Sequence, residues 1–292
     1  MNVIDMDTPT KRGSFGDTIT GFFRRSKASA NSIPRLVSPK RTPYGPFQFQ
    51  INLTKGATFE VQATTDLRHW ETLGAQLSHS ETTEFLDSNA PRHNLRFYRV
   101  LAGGTVSTNV IGYVSVTLPP GHAMISNPLL AQNNRVEALF PDLPEGTTFD
   151  KFDTTLFKLT KNGVTNGVWT NPQEVLLPGE GAIILNPTSD VKTLNFVGEV
   201  PQGDLSLPIP AGFSIRSSLL PLPGALDTDL GFPITNGDVI HLFDREQQKY
   251  IIYTFEQNRW TPSQPVIASG EAFWVGKTAA GNWVQSAVLN RI

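Results

Sequence analysis

Residues 112–197 align with residues 203–288 at a constant offset of 91 without a gap, and no other feature of this 292-residue chain constrains its fold as tightly. Eighteen of the 86 paired positions are identical, about 21% against roughly 6% expected from average residue usage. A gapless match of this length implies that one folding unit occurs twice. The identities fall where a small β unit needs them. Gly121/Gly212, Gly146/Gly237 and Gly179/Gly270 mark turns, because glycine reaches positive φ without steric cost. Phe152/Phe243 and Trp169/Trp260 supply core volume. Between the turns, the runs Tyr113–Leu118, His122–Ser126, Thr147–Phe152, Leu156–Thr160, Ala182–Leu185 and Thr193–Val197 read as strands, and residues 134–140 as one or two helical turns. Each copy is therefore expected to be a β-barrel or sandwich of about six strands. The spacing fits two separate domains as well as one pseudo-symmetric body.

Upstream, Phe47–Leu53 and Thr58–Ala63 alternate apolar and polar residues, the period of half-buried strands, and Phe97–Val100 closes the segment. With Trp70 expected at its centre, this segment reads as a small sandwich of immunoglobulin or fibronectin type. Composition agrees. Charged residues make up only 17%, and 24 Gly with 22 Pro favour short strands and tight turns over a helical bundle. Eighteen Phe provide enough apolar surface for packed cores. The expectation is an all-β protein organised as a flexible basic arm (1–45), an immunoglobulin- or fibronectin-like module (46–108) and two β repeats (109–199 and 200–292).

Charge is distributed unevenly. Residues 1–45 hold eight cations (Lys11, Arg12, Arg24, Arg25, Lys27, Arg35, Lys40, Arg41) against Asp5, Asp7 and Asp17, a net +5 in a chain of net −2, so residues 46–292 carry −7. A basic arm on an acidic body suits an acidic partner or a neighbouring copy, and the overall balance gives no reason to expect nucleic-acid binding. Within the arm, Phe15, Ile19, Phe22 and Phe23 fall at helical spacing and Arg24 and Arg25 follow, a pattern that suits a segment folding on a partner. No run of 18 apolar residues occurs, so no membrane span is expected. Zero cysteines exclude disulfides and thiolate chemistry. The first residues lack the apolar stretch of a secretory signal, and no apolar run follows Arg24-Arg25, so cytoplasmic synthesis is expected.

Motifs for chemistry are scarce. The five histidines (69, 79, 93, 122 and 241) have no zinc spacing, and His122, which aligns with Phe213, reads as a core filler. Gly212-Phe213-Ser214-Ile215-Arg216 lacks the last glycine of a nucleophile elbow, and no phosphate-binding glycine loop occurs. Glu180 and Glu271, each preceded by glycine, read as turn residues bonding nearby amides. Asp227-Thr228-Asp229 spaces oxygens as calcium loops do, but no later glutamate completes the pattern. No catalytic residue, cofactor or metal ligand is assigned. Trp274 and Trp283 align with Ile183 and Lys192, so they are the tryptophans open to a sugar-stacking role.

Ala63-Thr64-Thr65-Asp66-Leu67-Arg68-His69-Trp70, with Phe85-Leu86-Asp87-Ser88 and Arg96-Phe97-Tyr98-Arg99, resembles a β-sandwich module of large surface proteins in verrucomicrobial and planctomycete-type bacteria. Phe196-Val197-Gly198-Glu199-Val200-Pro201-Gln202-Gly203 and Gly270-Glu271-Ala272-Phe273-Trp274 resemble β-rich segments from the same group. The resemblance implies a surface, adhesive or matrix role and transfers no functional residue. Together these readings lead to a non-enzymatic structural or assembly protein. It would bind protein chains through its β modules and arm, by self-association or as part of a larger assembly, with a glycan-binding or adhesive module as the alternative.

Overall fold

A computed structural model describes residues 32–42 and 45–289. The structure is almost wholly β: 23 strands, one four-residue α-turn and one three-residue 3-10 turn among the described residues. The alternating run at Phe47 becomes β2 (Phe47–Asn52), flanked by β1 (Arg35–Arg41) and β5 (Thr82–Asp87) in a three-stranded sheet. Facing it are β3 (Thr58–Thr64), β4 (Glu71–Leu77), β6 (Leu95–Ala102) and the short β7 (Thr105–Val106). Phe47, Phe49 and Ile51 from one sheet meet Phe59, Val61, Tyr98 and Val100 from the other, as the period-2 pattern requires. The arm expected over residues 1–45 is thus too long: Arg35–Arg41 pairs with β2, because Leu36 is an apolar residue that this core buries. Trp70 is not central either. Phe47, stacked on Tyr98 at 4.8 Å, fills that place, while Trp70 sits half-buried under the Arg99 guanidinium, packed on a different core.

The boundary placed at residue 108 falls inside a continuous sheet. Copy 1 comprises β8 (Ile111–Leu118), β9 (Gly121–Ile125), α1 (Val136–Leu139), β10 (Thr148–Asp153), β11 (Lys158–Thr165), β12 (Val168–Trp169), β13 (Ala182–Asn186) and β14 (Lys192–Glu199). Strand β8 pairs with β14 on one edge and with β6 of the first module on the other. Its side chains serve two cores, Ile111 and Tyr113 in the first and Val114, Val116 and Leu118 in the second.

Copy 2 comprises β15 (Gly203–Ile209), β16 (Gly212–Arg216), β17 (Gly224–Ala225), β18 (Val239–Asp244), β19 (Lys249–Glu256), β20 (Arg259–Thr261), β21 (Val266–Ile267), β22 (Phe273–Lys277) and β23 (Gly281–Ala287). Its five-stranded sheet runs β16-β22-β18-β19-β20, and that of copy 1 runs β9-β13-β10-β11-β12, the same order. The registers also agree at the offset of 91. Thr148 faces Gly163 as Val239 faces Thr254, and Ala182 faces Ile125 as Phe273 faces Arg216. One pairing departs: Lys192 faces Leu118, whereas Trp283 faces Leu207, a slip of two residues from the equivalent register. An even slip keeps every side chain on its own face. The three glycine pairs of the turns all have positive φ, between 78° and 90°.

Candidate functional site

The two copies meet face to face through reciprocal contacts. Ser126 N–H donates to the Gly270 carbonyl at 3.0 Å, and Ser217 N–H donates to the Gly179 carbonyl at 3.1 Å. The Ser126 hydroxyl reaches the Glu271 carbonyl at 3.4 Å, as Ser217 reaches that of Glu180 at 2.8 Å. Bridges Ile125–Glu271 and Arg216–Glu180 repeat the exchange. When residue i meets j and the counterpart of i meets the counterpart of j, the units are related by a two-fold axis. Copies 1 and 2 therefore form a pseudo-dyad rather than two beads on a string. At the axis a position meets its own counterpart: a Cβ placed on Gly181 would lie 2.5 Å from the Cβ of Ala272. Only one copy can carry a methyl there.

This interface explains the identities at Gly179-Glu180 and Gly270-Glu271. A Cβ on Gly270 would meet Val116 at 2.5 Å, and one on Gly179 would meet Leu207, the counterpart of Val116, at 3.0 Å. Each glutamate accepts from the amide three residues before it, Leu177 at 2.8 Å and Ala268 at 2.9 Å, so both act as turn residues. Burial pushes the pKa of Glu271 up, opposed by the Ala268 N–H and by Arg245. The aspartates of the calcium-like string are likewise occupied: Asp227 accepts from Trp260 Nε1 at 3.1 Å and Asp229 from the Ala225 N–H at 2.9 Å. Among the described residues, no group of three or more His, Asp or Glu side chains is placed to hold a metal ion, and no helix is long and apolar enough to cross a membrane.

Beside the axis the outer faces of the two five-stranded sheets pack through Met124, Ile215, Phe243 and Ala272, with Phe152, Ile183 and Trp274 at the margin. Two clefts flank this cluster at pseudo-equivalent positions. The first, of about 270 Å³, is lined by Phe152 and Phe157 of copy 1 and Phe213, His241, Tyr250 and Trp274 of copy 2. The second, of about 290 Å³, has His122, Asp150, Leu159 and Ile183 at the matching positions, with Phe243 and again Tyr250. Tyr250 lines both, so the clefts are two lobes of one concave surface.

The lobes differ because the turns beside them differ. Asp153 and Asp244 each accept from two following amides at 2.8–2.9 Å and fold equivalent turns. In copy 2 that turn reaches across the interface. Arg245 donates to the carbonyls of Thr117 and Met124, and Gln248 bonds both the N–H and the carbonyl of His122. In copy 1 the counterpart of Gln248 is Phe157, whose ring packs edge-on against Phe152 at 5.3 Å and whose surface is 65% exposed. Phe213 and Tyr250 are 41% and 40% exposed. Trp274 donates from Nε1 to the Tyr250 hydroxyl at 3.2 Å and meets Phe152 edge-on at 4.8 Å. Burial lowers the pKa of His241, so its imidazole is neutral at neutral pH and the lobe carries no charge. A larger cleft of about 580 Å³ lies between β1 and α1, but its Arg41 is committed to stacking on Tyr113 at 3.5 Å. Exposed aromatic surface of the kind at the dyad is what folding alone does not require.

Of the two tryptophans selected from the sequence, Trp274 stands in the aromatic lobe. Trp283 does not: it is fully buried, donates from Nε1 to the Leu230 carbonyl at 2.7 Å and packs on Phe232 at 5.0 Å. Strand β23 starts at Gly281, two residues before the position matching the start of β14, so residue 283 lies inside the sheet where Lys192 opens a strand. His122 is exposed in the second lobe and fills no core. Phe15, Ile19, Phe22, Phe23, Arg24 and Arg25 lie outside the described residues. Phe157, Phe213 and Tyr250 escaped sequence reasoning, which weighed the positions where the copies agree. The lobes are built from adjacent positions where they disagree, Phe157/Gln248, Phe213/His122, Tyr250/Leu159 and Trp274/Ile183, around the shared Phe152/Phe243. Neither a family model nor a curated protein matches the chain.

Proposed function

We propose that this chain is a non-enzymatic assembly protein that binds other protein chains, with the aromatic lobe at the pseudo-dyad as the receiving surface. One observation carries the reading. Phe157 is an exposed, bulky residue held at φ 49°, in the left-handed region that suits glycine or asparagine. A local conformation that folding does not favour, displayed at the rim of an aromatic cleft, points to a role in binding. At about 270 Å³ the lobe is smaller than most small-molecule sites, roughly 300–1,000 Å³, and suits side chains of a protein partner. Aromatic clusters of this kind form the anchors of protein interfaces. The opposite charges of residues 1–45 and 46–292 favour head-to-tail association into filaments or rings, or attachment to a larger particle. The first module, read as an immunoglobulin- or fibronectin-type sandwich, serves as the platform that completes copy 1.

The alternative, a glycan-binding or adhesive module, draws on the pairing of Trp274 with Tyr250. A lobe with so few polar groups offers little to sugar hydroxyls, which favours the protein reading. Sedimentation velocity across a concentration series tests it. Wild-type protein is expected to associate, and Phe157→Asn with Phe213→Ser to dissociate earlier at an unchanged melting temperature. A wild-type chain that stays monomeric throughout and retains no protein partner overturns the proposal. Glycan-array binding lost in Trp274→Ala would replace it with the alternative.

A further inference from the structure

Resting on that assembly reading, we propose that the two lobes act as one bipartite groove whose occupant is the Phe22-Phe23-Arg24-Arg25 segment of a second copy. A phenyl ring enters the lobe of Phe152, Phe157, Phe213 and Trp274, and a guanidinium meets Asp150 in the neighbouring lobe. The geometry asks for an aromatic side chain beside a cation. Tyr250 lines both lobes, so one short segment can occupy them together. The first lobe is apolar and ring-lined. In the second, Asp150 is the only acidic side chain, and its Oδ1 is sealed from solvent without a hydrogen-bond partner. The charges that face it are those of its cross-strand neighbour Lys161, which is exposed, and His122. A buried acceptor without a donor carries a desolvation cost that an incoming guanidinium removes.

Within this chain, Phe22-Phe23-Arg24-Arg25 places two rings beside two cations. The other run of such composition, Arg96-Phe97-Tyr98-Arg99, is buried in β6 and engaged in its own sheet. The charge also fits, +5 over residues 1–45 against −7 over the rest. The 31 residues preceding Ser32 span about 100 Å when extended, enough to reach a neighbouring molecule.

The test uses the full chain and a labelled synthetic peptide of residues 15–27. Fluorescence anisotropy is expected to show binding that weakens about tenfold or more in Asp150→Asn and Phe157→Asn proteins, and likewise in peptides carrying Phe22→Ala/Phe23→Ala or Arg24→Ala/Arg25→Ala. In sedimentation, excess unlabelled peptide is expected to dissociate the associated chain. Melting temperature serves as the control for folding, since Asp150 and Phe157 lie outside the buried cores. Association that persists unchanged when all four residues 22–25 are alanine overturns this inference and leaves the assembly reading standing. A chain that binds the peptide yet stays monomeric overturns the assignment to a second copy. Peptide binding indifferent to Asp150→Asn removes the bipartite groove.

Discussion

Copies 1 and 2 share strand order, registers and turn glycines, yet each completes itself differently. Copy 1 borrows: its strand β8 is covered by β6 of the first module, so both edges are paired. Copy 2 receives no such neighbour. Strand β15 pairs only with β23 and carries Pro208, a residue tolerated where a ladder ends. Copy 2 compensates inside. Where copy 1 has Thr147 and Asn186, copy 2 has Asp238 and Lys277, a buried ion pair with side chains 0% and 2% exposed. Trp283 fills the same core from a position held by Lys192 in copy 1. The scaffold and the dyad are thus written in the residues the copies share. Individual stability and the candidate site are written in the residues they do not.

The largest expected effect breaks the polar lock of copy 2. Lys277→Met or Asp238→Asn alone leaves an uncompensated buried partner and should cost about 3–5 kcal/mol in urea unfolding. Asp238→Thr with Lys277→Asn, which restores the residues of copy 1, should recover much of that loss. Burial pushes the Asp238 carboxyl up, but the Lys277 ammonium and the N–H groups of Thr278 and Thr235 outweigh it and hold its pKa below the ordinary 3.8. A carboxylate whose pKa is lower in the folded state adds stability above pH 3.8 that is lost as the pH falls through the folded value. The wild type should lose this contribution on acidification, and the double variant should not.

The dyad provides the next test. Gly181→Ala puts two methyls on one spot and should cost about 1–3 kcal/mol, the usual range for overpacking. Adding Ala272→Gly should restore stability, because the pair is then merely exchanged between copies; no rescue would mean that the copies do not meet as described. Smaller again, Phe157→Asn relieves a left-handed backbone and should leave stability unchanged or raise it by up to about 1 kcal/mol, while Gln248→Asn at the matching turn should weaken the contacts to His122. A clear loss of stability in Phe157→Asn would make that ring structural. The mildest readout is hydrogen exchange: amides of β15 should exchange faster than those of β8. Equal protection would show that the free edge of β15 is covered in solution.

Much of the fold was legible before the structure. Period-2 alternation located β2, β3 and β6, and the repeat located nearly every strand of copy 1 together with its counterpart. The glutamates after Gly179 and Gly270 were readable as turn residues because a local hydrogen bond needs only local sequence. The failures have a common cause. Arg35–Arg41 looked like arm because a strand with one deeply buried residue, Leu36, has almost no pattern of its own. Trp283 looked like surface because its partner by offset is a lysine, and a two-residue slip in one hairpin carries no sequence mark. Phe157, Phe213 and Tyr250 were passed over because each stands alone in the chain.

What the sequence determined by itself is the repeated unit: spacing of glycines, strand periodicity and the positions of shared apolar residues are local properties that survive in a one-dimensional string. What only the tertiary structure decided is how the copies face each other, which residue meets its own counterpart on the axis, and that scattered aromatic differences converge into one lobe. Those relations depend on contacts between residues about 60 to 120 positions apart, such as Phe152 with Trp274 and Phe157 beside Phe213, and surface complementarity of that kind leaves no periodicity to read.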